Sequence, residues 1–344
     1  MKKIGILTGG ADCPGLNSVI RVVVRKAMHE GYVVTGIKNG WMGLVENDMK
    51  VLDLRQTSGI LDRGGTILGT SRLVPPLASE KMKIIAENFK RSGMDALIAI
   101  GGEDTLKIAL ALHKQKQIPV VGVPKSIDNS LSGTDYTFGF DTAVNVATEC
   151  IDRLHTTAES HHRIIVIEVM GRYTGWIALE AGIAGGADII LIPEYSVKID
   201  EICDALKARH ERGKTFSIIV VSEGAMIEGY EAQLESEEKL RRHRVGTVCE
   251  LIANLIEEKT GFETKVSVLG HIQRGGSPTA YDRIIGTRFG YKAVELIIEK
   301  KFGHMVSLQG NSVGSVKIED AVKHIKQIDP DLYDIARIFS ASVE

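Results

Sequence analysis

The chain has 344 residues, of which 44% are hydrophobic, and its 42 basic and 44 acidic side chains leave a net charge of -2. This length provides for about two domains of ordinary size, each with a full core. The balanced charge argues against nucleic acid or an anionic membrane as a general partner. No apolar run approaches the ~18 residues of a membrane span, and the run after Met1 is too short for a signal peptide, so we expect a cytoplasmic protein.

Short apolar runs rich in β-branched residues alternate with helical patterns along the chain. The predicted strands are 4–7, 33–37, 96–100, 120–123, 164–169, 189–192, 217–221 and 266–269. The predicted helices are 16–30, 80–91, 105–114, 142–159, 199–212, 234–258 and 285–300. Alternating strands and helices are typical of βαβ units, so the sequence predicts an α/β fold with mostly parallel sheets covered on both faces.

The cysteines point to a reducing environment. Cys13, Cys150, Cys203 and Cys249 are far apart and show no CxxC spacing. We therefore expect reduced, mostly buried thiols rather than a disulfide framework or a zinc site.

The first predicted strand runs into a glycine-rich loop, Thr8 to Asn17. Its glycines let backbone N–H groups approach an anion, and the following helix N-terminus adds positive potential. The loop matches neither GxGxxG nor GxxxxGK[ST], so it is neither a standard dinucleotide loop nor a P-loop. If the loop stood alone, a structural tight turn would be the default interpretation.

Acidic side chains follow two further predicted strands, in the segments 100–106 and 123–129. Glu103, Asp104 and Asp128 would lie at neighbouring strand ends, where one carboxylate can bind Mg²⁺ and another can act as a base. Phosphoryl transfer needs both functions. The alternative for Asp104 is a helix N-cap.

Arginine and histidine among glycines follow two later strands, in Met170-Gly-Arg172 and in Gly270 to Ser277. The guanidinium group matches phosphate oxygens, and glycine permits close approach, so these segments favour a sugar phosphate as ligand. Surface salt bridges are the alternative for any single arginine.

Together these segments resemble the phosphofructokinase family. The matching motifs are GILTGGADCPGLNSVIR, RGGTILGTSR, GGEDT, PKSIDN, MGR and GHIQRGGSPTAYDR, in the family's order and spacing over nearly the whole chain. The resemblance implies two Rossmann-like three-layer α/β/α lobes with mostly parallel sheets. Residues 1–138 with about 251–302 would bind the phosphoryl donor, and residues 139–250 with about 303–344 would bind fructose 6-phosphate.

The resemblance also assigns chemistry to individual residues. Asp128 would accept the proton of the C1 hydroxyl of fructose 6-phosphate, Ser126 would touch the transferring phosphoryl group, and Glu103 would hold Mg²⁺. Arg72 and Arg172 would stabilise charge between donor and acceptor. The donor-binding residues implied by the family pattern are Gly10, Ala11, Arg72, Gly102, Asp104, Thr105 and Lys125.

The acceptor-binding residues implied by the same pattern are Ser126, Asp128, Arg163, Met170, Gly171, Arg172, Glu223, Lys265, His271 and Arg274. Glu223 would contact sugar hydroxyls, and His271 and Arg274 would contact the 6-phosphate. In family members the counterparts of Arg163 and Lys265 come from the neighbouring subunit. The resemblance therefore implies a homodimer or a homotetramer.

Two positions indicate the phosphoryl donor. Family members that use ATP usually have glycine at the place of Asp104, where a carboxylate adds bulk and repels the α-phosphate of the nucleotide. Lys125 replaces a glycine of the common bacterial ATP enzymes, and its ammonium can pair with pyrophosphate oxygens. We predict a reversible, glycolytic phosphotransferase that uses pyrophosphate. The alternatives are an ATP-dependent 6-phosphofructokinase and a non-catalytic sugar-phosphate-binding paralogue.

Three positions depart from the family pattern. Ala11 replaces a glycine, and its Cβ would crowd the phosphate or resist a positive φ. Ser130 replaces the second aspartate of the TIDND motif, which removes a negative charge near the base. Lys265 replaces an arginine and loses its bidentate geometry. We expect weaker donor binding, slower turnover and weaker acceptor binding as the respective results.

Overall fold

The computed structural model describes residues 2–71, 80–231, 234 and 246–340. By internal contacts the chain divides into two compact units. Unit 1 comprises Met1–Thr142 and Arg274–Ile325, and unit 2 comprises Ala143–Gln273 and Lys326–Glu344. The division falls inside one helix, α5 (Phe140–His161).

Unit 1 is an α/β unit built on one sheet. Its other elements are β1 (Lys3–Thr8), α1 (Leu16–His29), β2 (Val33–Ile37), α2 (Trp41–Glu46), β3 (Met49–Leu52), α3 (Glu80–Arg91), β4 (Ala96–Gly101), α4 (Glu103–Lys116) and β5 (Val120–Pro124). After the chain returns from unit 2 they are α9 (Ala280–Ile298), β10 (His304–Gln309), β11 (Ser312–Lys317) and α10 (Ile318–Ala321). Within the described residues the sheet has seven strands in the order β11-β10-β5-β4-β1-β2-β3, and only the outer strands β3 and β11 run antiparallel to their neighbours.

Side chains alternate between the two faces of the sheet along each strand of unit 1, and this determines which helices they contact. Leu7, Leu97 and Ala99 pack with helices α3 and α4 in one apolar cluster. Because successive side chains of a strand point to opposite faces, Ile6 and Ile98 face the other side of the sheet. Helices α1 and α9 pack closely against each other. Burial on both faces explains why the central strands read as continuous apolar runs.

Unit 2 is a smaller α/β unit with an all-parallel sheet. Its elements after α5 are β6 (Ile164–Val169), α6 (Trp176–Ala184), β7 (Ile189–Leu191), α7 (Ile199–Glu211), β8 (Ser217–Ser222), α8 (Thr247–Thr260), β9 (Thr264–Val268), a 3₁₀ helix (Gly270–Arg274) and α11 (Pro330–Ser340). In the part of the chain that the structure describes, the sheet order is β7-β8-β6-β9. Helices α7 and α8 pack with β6, β7 and β8 in one apolar cluster. The predicted α/β class with mostly parallel sheets is confirmed in both units.

The predicted division of the chain differs from the observed one at three segments: 139–142, which belongs to unit 1, 251–273 and 303–325. Residues 251–273 belong to unit 2 because β9 pairs with β6 and α8 packs beside it. Residues 303–325 belong to unit 1 because β10 pairs with β5 and β11 pairs with β10. Sequence order alone does not reveal these pairings.

Most predicted elements are present with small shifts at their ends. The predicted helix 234–258 is observed as Thr247–Thr260, and residues 235–245 lie outside the described part of the chain. The elements that the sequence did not predict are α2, β3, α6, the 3₁₀ helix, β10, β11, α10 and α11. Several are short or partly exposed, so their apolar pattern is weak.

Two further expectations concern the whole chain. All four cysteines are free thiols, as predicted. Among the helices of the described residues, none combines the length and the apolar character needed to cross a membrane.

Candidate active site

The carboxyl ends of three adjacent parallel strands, β1, β4 and β5, carry the residues predicted to bind the donor. The Gly9 N–H donates to the Ile100 carbonyl at 2.9 Å, and the Lys125 N–H donates to the Gly101 carbonyl at 3.1 Å. The structure therefore brings the glycine loop, the GGEDT segment and the PKSIDN segment together. Open α/β sheets bind ligands at this edge.

The glycine loop has the backbone conformation that its sequence predicts. Gly10 and Gly15 have φ values of +75° and +100°, which favour glycine. A Cβ on Gly9 would lie 2.5 Å from Thr105 Oγ1, so this glycine permits close approach to helix α4. Ala11 is not one of the described non-glycine residues with positive φ. The predicted conformational strain at Ala11 is therefore absent.

Lys125 is a buried cation of unit 1 that lies beside the glycine loop. It is only 5% exposed, and its Nζ donates to the Ala11 carbonyl. A Cβ built on Gly10 would lie 3.6 Å from Nζ, so the ammonium lies against the glycine loop. Burial lowers the pKa of Lys125, and the positive charge of Arg274 lowers it further. An anion bound at the loop would meet a poorly hydrated ammonium, which forms a strong charge-assisted hydrogen bond.

Asp128 lies in the loop after β5, close to two cations. Burial raises the pKa of Asp128, whereas Arg274 and Lys125 lower it. The Ser126 hydroxyl accepts the Asp128 N–H at 3.0 Å, and the Ser126 carbonyl accepts the Thr137 hydroxyl at 2.7 Å. Arg274 Nε is buried and lacks a hydrogen-bond partner among the described residues. A carboxylate with a raised pKa in a fixed loop is suited to accept a proton.

Glu103 and Asp104 form the first turn of α4. The N-cap of this helix is Gly102, so the alternative that Asp104 is the N-cap is wrong. Both carboxylates lie where the helix dipole favours negative charge. Asp104 is exposed, and Glu103 Oε1 lies 2.5 Å from Lys107 Nζ.

The described residues contain no group of three or more His, Cys, Asp or Glu side chains that could hold a metal ion alone. Mg²⁺ often binds through one or two carboxylates, with substrate phosphates and water completing its coordination. Glu103, at the strand edge and about two-fifths exposed, fits this shared mode of binding.

Arg72 lies outside the described residues. The segment that precedes it lies against the glycine loop. The Gly10 N–H donates to the Ser71 carbonyl at 3.1 Å, and the Thr70 hydroxyl donates to the Gly10 carbonyl at 2.5 Å.

In unit 2 the carboxyl ends of β6, β8 and β9 carry five predicted acceptor-binding residues: Met170, Gly171, Arg172, Glu223 and His271. The Glu223 N–H donates to the Val169 carbonyl at 2.9 Å, and the Ser222 hydroxyl donates to the Gly171 carbonyl at 2.5 Å. The Met170 N–H donates to Gln273 Oε1 at 3.3 Å. Arg172 and His271 are exposed.

Arg163 and Lys265 lie at the opposite end of the same sheet. Arg163 precedes β6, and Lys265 is the second residue of β9, which pairs with β6. Both cations contact one carboxylate oxygen, Glu263 Oε1, at 2.7 Å and 3.1 Å respectively. Six strand residues span roughly 20 Å. Within one chain, therefore, the structure does not bring Arg163 and Lys265 to Met170 and His271.

Two carboxylates outside the predicted set of site residues have defined partners. Glu263 pairs with the two cations just described. Asp282 is fully buried and accepts three hydrogen bonds. The only sequence feature that marked Asp282 is its place inside a glycine-rich motif. The motif does not indicate its hydrogen-bond partners, which are remote in sequence.

Comparison with known proteins agrees with this geometry. The phosphofructokinase family model matches residues 3–297. The chain is 50% identical to the pyrophosphate--fructose 6-phosphate 1-phosphotransferase of Streptomyces coelicolor, over 98% of this chain and 99% of that protein. It is 49% identical to the ATP-dependent 6-phosphofructokinase 2 of Clostridium perfringens, over 96% and 94% of the two chains.

A solved structure, the phosphofructokinase of Saccharomyces cerevisiae, superposes with a TM-score of 0.81 and 31% sequence identity. The match covers 98% of this chain, which spans about half (47%) of the yeast chain. The family model, the full-length relatives and the fold agree with the motifs at the strand ends. The chain belongs to the phosphofructokinase family.

Proposed function

We propose that this protein transfers a phosphoryl group reversibly between pyrophosphate and the C1 hydroxyl of D-fructose 6-phosphate, giving fructose 1,6-bisphosphate. The observation that carries the proposal is the buried Lys125 ammonium against the glycine loop. With Asp104 in the first turn of α4, it favours a short, highly charged donor over a nucleotide. The Streptomyces coelicolor relative, named for pyrophosphate as donor, supports this choice.

Asp128 acts as the base in this proposal. It takes the proton of the C1 hydroxyl as the oxygen attacks the terminal phosphorus of the donor, and phosphate leaves. Burial raises the pKa of Asp128, and the neighbouring Arg274 and Lys125 oppose that rise and favour the carboxylate form. The Ser126 hydroxyl, already bonded to the Asp128 N–H, is available to the transferring group. Arg72 and Arg172 stabilise charge between donor and acceptor.

Glu103 would hold Mg²⁺ together with the donor phosphates. The ion, when bound, neutralises charge on the transferring group. The other donor-binding residues are Gly10, Ala11, Gly102, Asp104, Thr105 and Lys125. The glycines of this set admit the phosphates to backbone N–H groups.

The acceptor-binding residues in this proposal include Met170, Gly171, Arg172, Glu223, His271 and Arg274. Arg163 and Lys265 lie at the other end of the sheet in the same chain. We propose that they serve the 6-phosphate of a neighbouring subunit, so the active protein is a homodimer or homotetramer.

The second candidate is an ATP-dependent 6-phosphofructokinase. The 49% identical relative from Clostridium perfringens, which is named for ATP, favours it. Asp104 argues against it because a carboxylate repels the α-phosphate of ATP.

Asp128→Asn tests the catalytic assignment. The amide cannot accept the proton, so we expect kcat with pyrophosphate to fall at least about a thousandfold, while the KM values change little. Fructose 1,6-bisphosphate formation is measured in a coupled assay with Mg²⁺. Asp152→Asn, at an exposed helix position, is the matched control. An Asp128→Asn enzyme with more than a tenth of wild-type turnover would contradict the assignment.

A further inference from the structure

Asp282 is a buried carboxylate that caps a helix other than its own. It lies in the first turn of α9 and is fully buried. Its Oδ1 accepts the Gly139 N–H at 2.7 Å, and its Oδ2 accepts the Thr142 N–H at 2.8 Å and the Thr142 hydroxyl at 2.5 Å. A buried charge is costly without such partners. These three bonds fasten the start of α5 to α9.

The two helices cap each other reciprocally. Thr279 is the N-cap of α9, and its hydroxyl donates to Asp141 Oδ2 at 2.5 Å in the first turn of α5. The Thr279 N–H donates to Thr142 Oγ1 at 3.1 Å. Because the Thr142 hydroxyl donates to Asp282, its oxygen is oriented to accept from Thr279. The arrangement leaves little freedom to residues 137–142.

Residues 137 and 138 of this segment also form hydrogen bonds and a β-bridge with the loop after β5. Phe138 forms a parallel β-bridge with Lys125. The Thr137 hydroxyl donates to the Ser126 carbonyl at 2.7 Å, and the Thr137 N–H donates to Asn129 Oδ1 at 3.1 Å. The loop that carries Asp128 is therefore bonded on both sides of that residue to a segment whose other end is bonded to Asp282.

We propose that Asp282 is a positioning residue for phosphoryl transfer. Its carboxylate fixes residues 137–142, and these residues set the position of Lys125 and Asp128. This inference rests on the proposed role of Asp128 as the base. Asp282 touches no substrate in this account. It acts through hydrogen bonds in unit 1, so its loss should lower the rate of the chemical step more than substrate binding.

The charge on Asp282 is required for this role because the carboxylate only accepts hydrogen bonds. Burial raises the pKa of Asp282 to about 6, and the bonds from Thr142 and Gly139 oppose that shift. The other titratable groups near it are Asp141 on α5, Cys13 in the glycine loop and Tyr281 on α9. Below about pH 6 the group gains a proton, and one acceptor oxygen becomes a donor.

Asp282→Asn tests the inference in the full-length protein with pyrophosphate, Mg²⁺ and fructose 6-phosphate. The amide keeps only one acceptor oxygen, so it cannot accept the bonds from both Gly139 and Thr142. We expect kcat to fall roughly tenfold to a hundredfold, with both KM values within about threefold of wild type. The acid limb of log kcat against pH should become shallower, because one of two carboxylates that must be ionised is missing.

Thr137→Val separates positioning from general destabilisation. Thr137→Val removes the bond to the Ser126 carbonyl but leaves Asp282 intact, and it should lower kcat. Thr137→Ser keeps the hydroxyl and should therefore keep most of the turnover. Combining Thr137→Val with Asp282→Asn should cost little more than Asp282→Asn alone, because both act through one segment. If Asp282→Asn does not fold, Thr142→Val, which removes one of its three bonds, should lower kcat several-fold.

Three results would overturn the inference: an Asp282→Asn kcat within twofold of wild type, a loss confined to KM, or fully additive losses in the double variant. Asp152→Asn serves as the charge control. A wild-type protein inactive with every donor would remove the proposed function and the inference with it. An active wild type with an unaffected Asp282→Asn variant would refute the inference alone.

Discussion

Replacing Lys125 with methionine tests the reasoning about the donor. Methionine has a similar length but no charge. Lys125 is 5% exposed, and its Nζ is bonded to the Ala11 carbonyl beside Gly10. A pyrophosphate bound there would form about two charge-assisted bonds with the ammonium, each contributing about 1.5–3 kcal/mol. Their loss is about 3–6 kcal/mol, which corresponds to roughly a hundredfold to ten-thousandfold in kcat/KM for pyrophosphate.

The same substitution should not destabilise the fold. Burial lowers the pKa of Lys125, so the charged ammonium opposes folding at neutral pH. As pH rises through this lowered pKa towards the unfolded value, the unfolded chain binds more protons and the wild type gains stability. Activity with pyrophosphate should fall over the same range because the ammonium is lost. Lys125→Met has no ammonium, so it should show neither the gain in stability nor the loss of activity as pH rises. Its thermal midpoint should equal or exceed that of the wild type.

Steady-state rates at varied pyrophosphate and fixed, saturating fructose 6-phosphate, combined with thermal unfolding, measure both effects. Lys90→Met, at an exposed position of α3, is the control. A loss in kcat/KM for pyrophosphate below tenfold would refute the reasoning. A loss accompanied by an equal rise in the KM for fructose 6-phosphate, or by a lowered thermal midpoint, would also refute it.

Three other substitutions have defined outcomes. Asp104→Gly removes bulk and negative charge, so it should raise kcat/KM for ATP by roughly tenfold or more. The same assay measures kcat/KM for pyrophosphate, and an unchanged ratio of the two values would contradict this prediction. Glu263→Gln should lower the KM for fructose 6-phosphate roughly threefold, and less at high salt, because the carboxylate competes with phosphate for two cations. Glu258→Gln, on the exposed side of α8, should leave that KM unchanged, and a raised KM in Glu263→Gln would reverse the interpretation. Ser130→Asp should raise kcat, and an equal or lower value would show that the missing charge does not limit turnover.

The sequence predicted the strand-end geometry well because buried parallel strands have a strong apolar signal. Glycines and acidic residues directly after such strands must lie at the carboxyl edge of the sheet. The placement of Glu103 and Asp128 at that edge therefore followed from local pattern alone. Their roles in the reaction remain predictions.

Sequence patterns did not predict the features that depend on contacts between segments remote in sequence. The bonds of Asp282 to Gly139 and Thr142 join residues about 140 positions apart, and no local pattern records them. The edge strand β11 is partly exposed along its length, so its apolar alternation is weak. The proximity of Arg163 and Lys265 to one carboxylate depends on the pairing of β6 with β9, which no local pattern records.

The most direct test of the central claim is the ratio of kcat/KM for pyrophosphate to kcat/KM for ATP, with the wild-type protein, Mg²⁺ and saturating fructose 6-phosphate. The proposal predicts a ratio of roughly a hundred or more, since Lys125 stabilises pyrophosphate and Asp104 repels the nucleotide. Turnover with ATP and none with pyrophosphate would contradict it.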